Sequence, residues 1–366
     1  MPDRLVISID AMGGDHGPAV IVPAVARAAK IMPPDSVRFL LHGEGSVVEG
    51  ALNTAALRTP RLAGLCEVRP AIGVIAMDAK PAHAMRRGNG TSMWNAVESV
   101  RAGEAHAAVS AGNTGALMAI SRLLLRMAGG MDRPALVANW PTSRGVTSVL
   151  DVGANIICDA ERLVEFAIMG AAFHRAVHKT PRPTLGLLNV GVETEKGHED
   201  VRGADRLLRE HAFDLDYRGF VEGDDIARGA VDVIVTDGFT GNVALKTAEG
   251  LARFFRTELR NALTSGAASR LGALIARRSL RQMSERLDPG SINGGPFLGL
   301  NGIVVKSHGG ADARGFANAI RLAADLAHSD IAAEIERDLR KRASPEPGAA
   351  PGQPGPQDAT QQRASA

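Results

Sequence analysis

Aromatic residues are scarce, at 4% of 366 residues, and there are only two cysteines, Cys66 and Cys158. The cysteines stand far apart beside apolar runs and form no C-x-x-C pair. That excludes a disulfide framework and predicts a reduced, intracellular setting. Charge of either sign is not in excess: the net charge is +2, so no global field marks a nucleic-acid binder. No apolar run approaches the ~18 residues that a membrane span needs. The chain passes from Met1-Pro2-Asp3-Arg4 straight into an apolar segment, so no signal peptide is expected. These absences predict a soluble, cytoplasmic protein, at most peripheral to a membrane. There is also no G-x-S-x-G, which removes a serine nucleophile elbow. Gly43, Gly45 and Gly50 miss the G-x-G-x-x-G spacing by two residues, which weakens a dinucleotide reading.

What is abundant is glycine, with 41 residues, and a hydrophobic fraction of 45%. Together they fit one large or two closely joined α/β units with many tight turns. The most informative stretch runs from Ala107 to Ile120. Ala107–Val109 reads as a buried strand. It passes through Ser110-Ala111-Gly112-Asn113-Thr114-Gly115 into a helix marked by Leu117, Ile120, Leu123 and Leu124. Such a turn points free N–H groups and the positive end of a helix dipole at one place, a ready site for phosphate or carboxylate. The same grammar recurs at Asp151-Val-Gly-Ala-Asn155 and Asp237-Gly-Phe-Thr-Gly-Asn242. The repetition predicts one polar pocket at the carboxyl edge of a sheet.

Other segments feed the same pocket. Leu5–Ile9 leads into Asp10-Ala-Met-Gly13-Gly14-Asp15-His16, then Pro18 opens a helix. Asp10 either faces a ligand or caps and orients the turn. No second histidine or carboxylate nearby has metal-ligand spacing, so no metal is expected. Residues 70–90 lack periodicity and carry Lys80, Arg86 and Arg87, reading as a mobile loop that is either a lid or a plain connector. Asp159 is placed as the N-cap of the helix that follows. Thr184–Val190 ends in a glycine loop whose Lys196 either reaches an anion or forms a surface ion pair. Lys306 and His308 follow strand Ile303–Lys306. His308 either lines the pocket edge or bonds its own backbone. Residues 313–339 read as one final helix.

Residues 251–287 differ in character. Leu251, Phe254, Phe255, Leu271, Leu274, Ile275 and Leu287 recur at helical spacing among arginines that include Arg270, Arg277, Arg278 and Arg286. Ser265-Gly266 interrupts the run, predicting a helical hairpin. It serves as ordinary packing helices, as a dimer or acidic-partner surface, or as a contact with anionic membrane. From 344 to 366 the chain is rich in Pro, Gly, Gln and Ala and is predicted to be disordered.

Six motifs in order carry a resemblance. They are Ile9-Asp-Ala-Met-Gly-Gly-Asp15, Ser110-Ala-Gly-Asn-Thr-Gly-Ala116, Leu150-Asp-Val-Gly-Ala-Asn155, Leu188-Asn-Val-Gly191 with Lys196-Gly197, Asp237-Gly-Phe-Thr-Gly-Asn242, and Asn301-Gly-Ile-Val-Val-Lys-Ser-His-Gly309. Across roughly residues 5–316 the chain resembles the acyl-carrier-protein-linked phosphate acyltransferase family of bacterial phospholipid synthesis. Two positions depart from the family pattern: Gly88-Asn89 stands where a basic pair is frequent, and Thr236 where cysteine is frequent.

The resemblance implies a three-layer α/β/α sandwich akin to the isocitrate and isopropylmalate dehydrogenases, a single large catalytic domain of one or two lobes (1–343), and a homodimer. It implies transfer of a long-chain acyl group from acyl carrier protein to inorganic phosphate, with no cofactor. The acyl phosphate would feed a membrane-bound glycerol-3-phosphate acyltransferase. Carried over residue by residue, Lys196 serves the leaving sulfur as acid–base group and Asn242 donates to the tetrahedral oxyanion. Asp10, Gly13, Gly14, Asn113, Thr114, Gly115, Asn155, Gly241, Lys306 and His308 place phosphate and substrate. Arg270, Leu271, Leu274, Ile275, Arg277 and Arg278 contact the carrier or the membrane. Two other classes remain beside it: a phosphotransacetylase-like enzyme using coenzyme A thioesters, and a non-catalytic scaffold that binds the carrier protein.

Overall fold

A computed structural model describes residues 4–129, 131–210, 213–286 and 293–343. In chain order the elements are β1 (Leu5–Asp10), α1 (Pro18–Ile31), β2 (Val37–Gly43), α2 (Gly45–Ala56), α3 (Leu62–Leu65), β3 (Cys66–Pro70), α4 (Pro81–Arg87), α5 (Ser92–Arg101), β4 (Ala107–Ser110), α6 (Thr114–Leu125), β5 (Ala135–Thr142) and β6 (Gly145–Leu150). There follow α7 (Ala160–His178), β7 (Thr184–Leu188), α8 (Glu199–Glu210), β8 (Asp216–Val221), α9 (Gly223–Arg228), β9 (Val233–Val235), α10 (Gly238–Thr264), α11 (Ala267–Ile275), α12 (Arg277–Arg286), β10 (Gly295–Leu298), β11 (Ile303–Lys306), α13 (Ala313–Ala327) and α14 (Ile331–Ala343).

The strands form one 11-stranded sheet in the order β3-β2-β1-β4-β11-β10-β5-β6-β9-β7-β8. β3 to β11 run parallel, and so do β6 to β8, but the two wings are joined through antiparallel β10 and β5. Each wing therefore has its own carboxyl edge, and the two edges point in opposite directions. The single carboxyl edge expected from the sequence is replaced by two. Register brings them to a common level. Ser110 pairs with Lys306, and Lys306 with Gly295; β10–β5 pairing then leads to Ala138, Val149 and Ile234 in one row.

Strand residues alternate between two apolar layers, one on each face, as the period of two demands. Ala107, Val109, Leu150, Val233, Val235 and Val305 join α1, α7 and α13 on one side. Ala108, Val149, Ile234 and Val304 join α5, α6 and the start of α10 on the other. Burial of both faces explains why these strands read as continuous apolar runs. The expected three-layer α/β/α sandwich is observed.

Local rules hold where the sequence stated them. Pro18 begins α1, and the Asp159 side chain caps α7 by accepting from Arg162 N at 2.8 Å. Three expectations change. Residues 70–90 contain α4, which Pro81 starts after an extended Lys80, so this segment is partly helical rather than a bare loop. The final helix divides into α13 and α14 at His328, whose ring bonds Ala324 O. The hairpin breaks at Ser265-Gly266 as expected, but Ala276 introduces a second break before α12. Leu287 and the tail from 344 lie outside the described residues.

Candidate active site

The first carboxyl edge collects Asp10, Gly13, Gly14, Asn113, Thr114, Gly115, Lys306 and His308. Asp10 is buried, accepts from Ser110 Oγ at 2.7 Å and Met12 N at 3.3 Å, and is raised from the ordinary carboxyl value by burial. It holds the turn rather than facing the opening. Gly13 must be glycine because a Cβ there would stand 2.5 Å from Asp10 Oδ2 and 2.7 Å from Gly112 N. Ser110 Oγ in turn accepts from Gly112 N at 3.0 Å.

Asn113 is wholly engaged. Its Oδ1 caps α6 through Ala116 N (2.9 Å), and its Nδ2 donates to Met77 O (2.6 Å) and Ala79 O (3.1 Å). The side chain is therefore a latch that draws the segment before α4 over this edge, not a phosphate ligand. The N–H groups of Thr114 and Gly115, in the first turn of α6, keep no intrahelical partner and remain for an anion.

The second edge collects Asn155, Gly241, Asn242 and Lys196, from the loops after β6, β9 and β7, which are neighbours in the sheet. Its organiser is Asp151, fully buried. Oδ1 accepts from Leu136 N, Gly153 N and Ala154 N, and Oδ2 from Asn155 N and Asn155 Nδ2, at 2.6–3.3 Å. Burial raises this carboxyl, and the donors around it work the other way. Asn155 is buried, its Nδ2 divided between Asp151 Oδ2 (2.9 Å) and Pro134 O (2.8 Å), so it supports the loop from within.

A Cβ on Gly241 would lie 1.9 Å from Asp151 O, so close packing requires glycine there. Its N–H is already bonded to Asp237 O, as Gly238 N is to Asn155 O and Thr240 N to Asp237 Oδ1. This turn therefore has few main-chain donors to offer a ligand, in contrast to the expectation that both glycine turns supply them. Asn242 is exposed beside Gly153, and among the described residues its amide has no hydrogen-bond partner. Lys196 is exposed and ion-paired to Glu193 at 2.8 Å, which holds its ammonium above the ordinary lysine value. No hydrogen bond joins Lys196 to Asn242 among the described residues.

Helix α10 connects the edges. Asn242, Lys246 and Glu249 lie on one helical face at i, i+4 and i+7. Lys246 pairs with Glu249 (2.9 Å), and Glu249 reaches His308 Nε2 (3.8 Å) on the first edge. The adjacent His308 ring, aided by Lys246, holds Glu249 down at about 2. His308 Nδ1 also accepts from Gly310 N at 3.1 Å, so the local backbone bond and the pocket-edge position occur together. Asn242 and Lys246 are one turn apart, about 6 Å along the axis. Sequence reasoning missed Lys246, Glu249 and Asp151. The i+4 and i+7 spacing from Asn242 was the available signal for the first two.

Exposed Ile156, Ile157, Val190, Val192, Phe239 and Val243 rim the second edge. Beyond them α10 projects into α11, where Leu271, Leu274 and Ile275 are 60–80% exposed. Arg270, Arg277 and Arg278 lie on this same projection. Among the described residues no helix is long and apolar enough to cross a membrane, and no group of three or more His, Cys, Asp or Glu side chains could hold a metal ion.

Residues 5–334 match the family model described as "Fatty acid synthesis protein". A phosphate acyltransferase of Caulobacter vibrioides is 64% identical over 341 residues, 93% of each chain. One of Phenylobacterium zucineum is likewise 64% identical, covering 93% of this chain and 95% of its own. Among solved structures, a phosphotransacetylase from Streptococcus pyogenes aligns over 89% of this chain and 95% of its own, with a TM-score of 0.57 and 16% identity, a likeness of fold. On the family model and the near full-length identity, the chain belongs to the phosphate acyltransferase family of fatty acid synthesis proteins.

Proposed function

We propose that the protein transfers a long-chain acyl group from acyl carrier protein to inorganic phosphate, forming an acyl phosphate for phospholipid synthesis. One observation carries the reading: on α10 the Asn242 amide, unpartnered among the described residues, lies one turn from Lys246, whose ion-pair partner Glu249 reaches His308 at the edge that carries Lys306. Phosphate held there attacks a thioester carbonyl whose oxygen is received by Asn242. A new C–O bond forms, and the oxyanion collapses with cleavage of C–S. Sulfur leaves with the electron pair and takes a proton from Lys196 once Glu193 is displaced. A thiol of pKa about 8.5 is a good leaving group, so positioning and oxyanion stabilisation supply most of the catalysis. The apolar rim around Asn242 suits a long acyl chain. No cofactor enters this sequence of steps.

The test is to incubate the protein with phosphate and either acyl carrier protein thioester or the matching coenzyme A thioester, trapping product with hydroxylamine. Hydroxamate formed preferentially from the carrier thioester is the expected result. Equal use of both donors would favour the phosphotransacetylase-like alternative, and carrier binding without product would favour a scaffold.

The reading extends to a homodimer and to contact with anionic membrane through α11 and α12, which would deliver product to a membrane acyltransferase. Exposed Leu271, Leu274 and Ile275 beside Arg270, Arg277 and Arg278 support the membrane contact. Flotation with anionic liposomes is expected to weaken severalfold when the three apolar residues become serine. Unchanged flotation would remove the contact, and sedimentation velocity reads the dimer.

A further inference from the structure

The phosphate half of the site holds a titratable group that these steps leave idle. Lys306, the last residue of β11, is part-buried, and its Nζ turns inward to the main-chain carbonyls of Ala111, at 3.4 Å, and Ser307. Among the described residues it forms no ion pair with a carboxylate. The charged groups that face it are Asp10 at the end of β1, Asp15 in the following loop and Lys246 of α10. Glu249 and His308 stand behind Lys246. Resting on the function just described, we propose that the Lys306 amine accepts the proton of the attacking phosphate.

In the balanced step, an oxygen of HPO4²⁻ bonds to the carbonyl carbon and the phosphate proton passes to neutral Nζ of Lys306. Sulfur departs with the C–S electron pair and receives its proton from Lys196. The products are the acyl phosphate dianion and the thiol. The Lys306 ammonium and the Lys196 amine then exchange protons with water. The environments of the two lysines suit this division. Burial and the Lys246 ammonium lower Lys306 to about 8 against the pull of Asp10 and Asp15, whereas Lys196 is exposed and enters the step as the ammonium. A base near the working pH is the effective one.

Lys306→Arg keeps the positive charge but cannot accept a proton near neutrality. It is expected to leave KM for phosphate within about threefold and to lower kcat about 10²–10³-fold. In the wild type, kcat should rise with pH as the amine is freed and level off above about 8; the arginine variant should lack that limb. A variant with wild-type kcat and the same limb would overturn the inference. If the arginine variant does not fold, Lys306→Ala is assayed with a series of primary amines. Restoration that tracks amine basicity supports the proton transfer, and no restoration, or equal restoration by tetramethylammonium, overturns it. A wild type that forms no acyl phosphate sinks the functional reading itself. An active wild type with an indifferent Lys306→Arg sinks this step alone.

Discussion

Asn242→Ala is expected to lower kcat by about 10²–10³, corresponding to about 2.7–4 kcal/mol of transition-state stabilisation, the usual effect of removing one oxyanion donor. The loss should fall on kcat with KM for both substrates little changed, because the donor strengthens its bond only as the carbonyl oxygen becomes an oxyanion. Folding should be preserved. The side chain is exposed, has no hydrogen-bond partner among the described residues, and stands beside Gly153. Single-turnover hydroxylamine trapping separates chemistry from product release and is the appropriate measurement. A loss below about threefold would mean that the oxyanion is held elsewhere, with the free N–H groups of Thr114 and Gly115 the next candidates.

Asp151→Ala should act through stability instead. The carboxylate receives five N–H bonds from the start of β5 and from the loop 153–155, three of them buried and two part-buried. Alanine leaves those donors unmatched and opens space beneath Gly238 and Gly241, both packed against this loop. An expected cost of about 3–5 kcal/mol follows from the unsatisfied buried donors. Denaturant unfolding is the check. Asp151→Asn keeps the volume but turns an NH2 group toward N–H donors, so it too should destabilise. If both variants unfold at the wild-type midpoint, the loop is held by packing alone. Because the same loop supports the first turn of α10, loss of Asp151 should also displace Asn242 and lower activity at temperatures where the fold persists.

The two variants separate kinds of information. Asn242 was visible in the sequence as the last residue of a glycine-bracketed turn, and the resemblance gave it a role. Asp151 stood in an equally visible motif, yet its importance appears only when the five donors are found around it. Asn113 and Asn155 show the reverse. Both occupied motif positions that read as ligands, but folding directs their amides inward, to Met77 and Ala79 in one case and to Pro134 and Asp151 in the other. Lys246 and Glu249 lay in a helix with no motif; their spacing from Asn242 put them on its face, and the approach of Glu249 to His308 shows what that face meets. Helix α4 was obscured because seven residues carry too little periodicity to stand out from the surrounding glycines and prolines.

By itself, the sequence determined the α/β class, most strand and helix positions, the Asp159 cap, the helix start at Pro18 and the set of glycine turns. These depend on periodicity, capping and backbone freedom, which act over a few residues. Only the tertiary structure decided that the parallel wings oppose each other across β10 and β5, and that α10 spans their two edges. It also decided which polar side chains are spent on internal bonds and which stay open. The physical reason is that a hydrogen bond satisfies whichever groups folding brings together. The partners of Asn113 are 34 and 36 residues away, and one of the two carbonyls that receive Lys306 Nζ is 195 residues away.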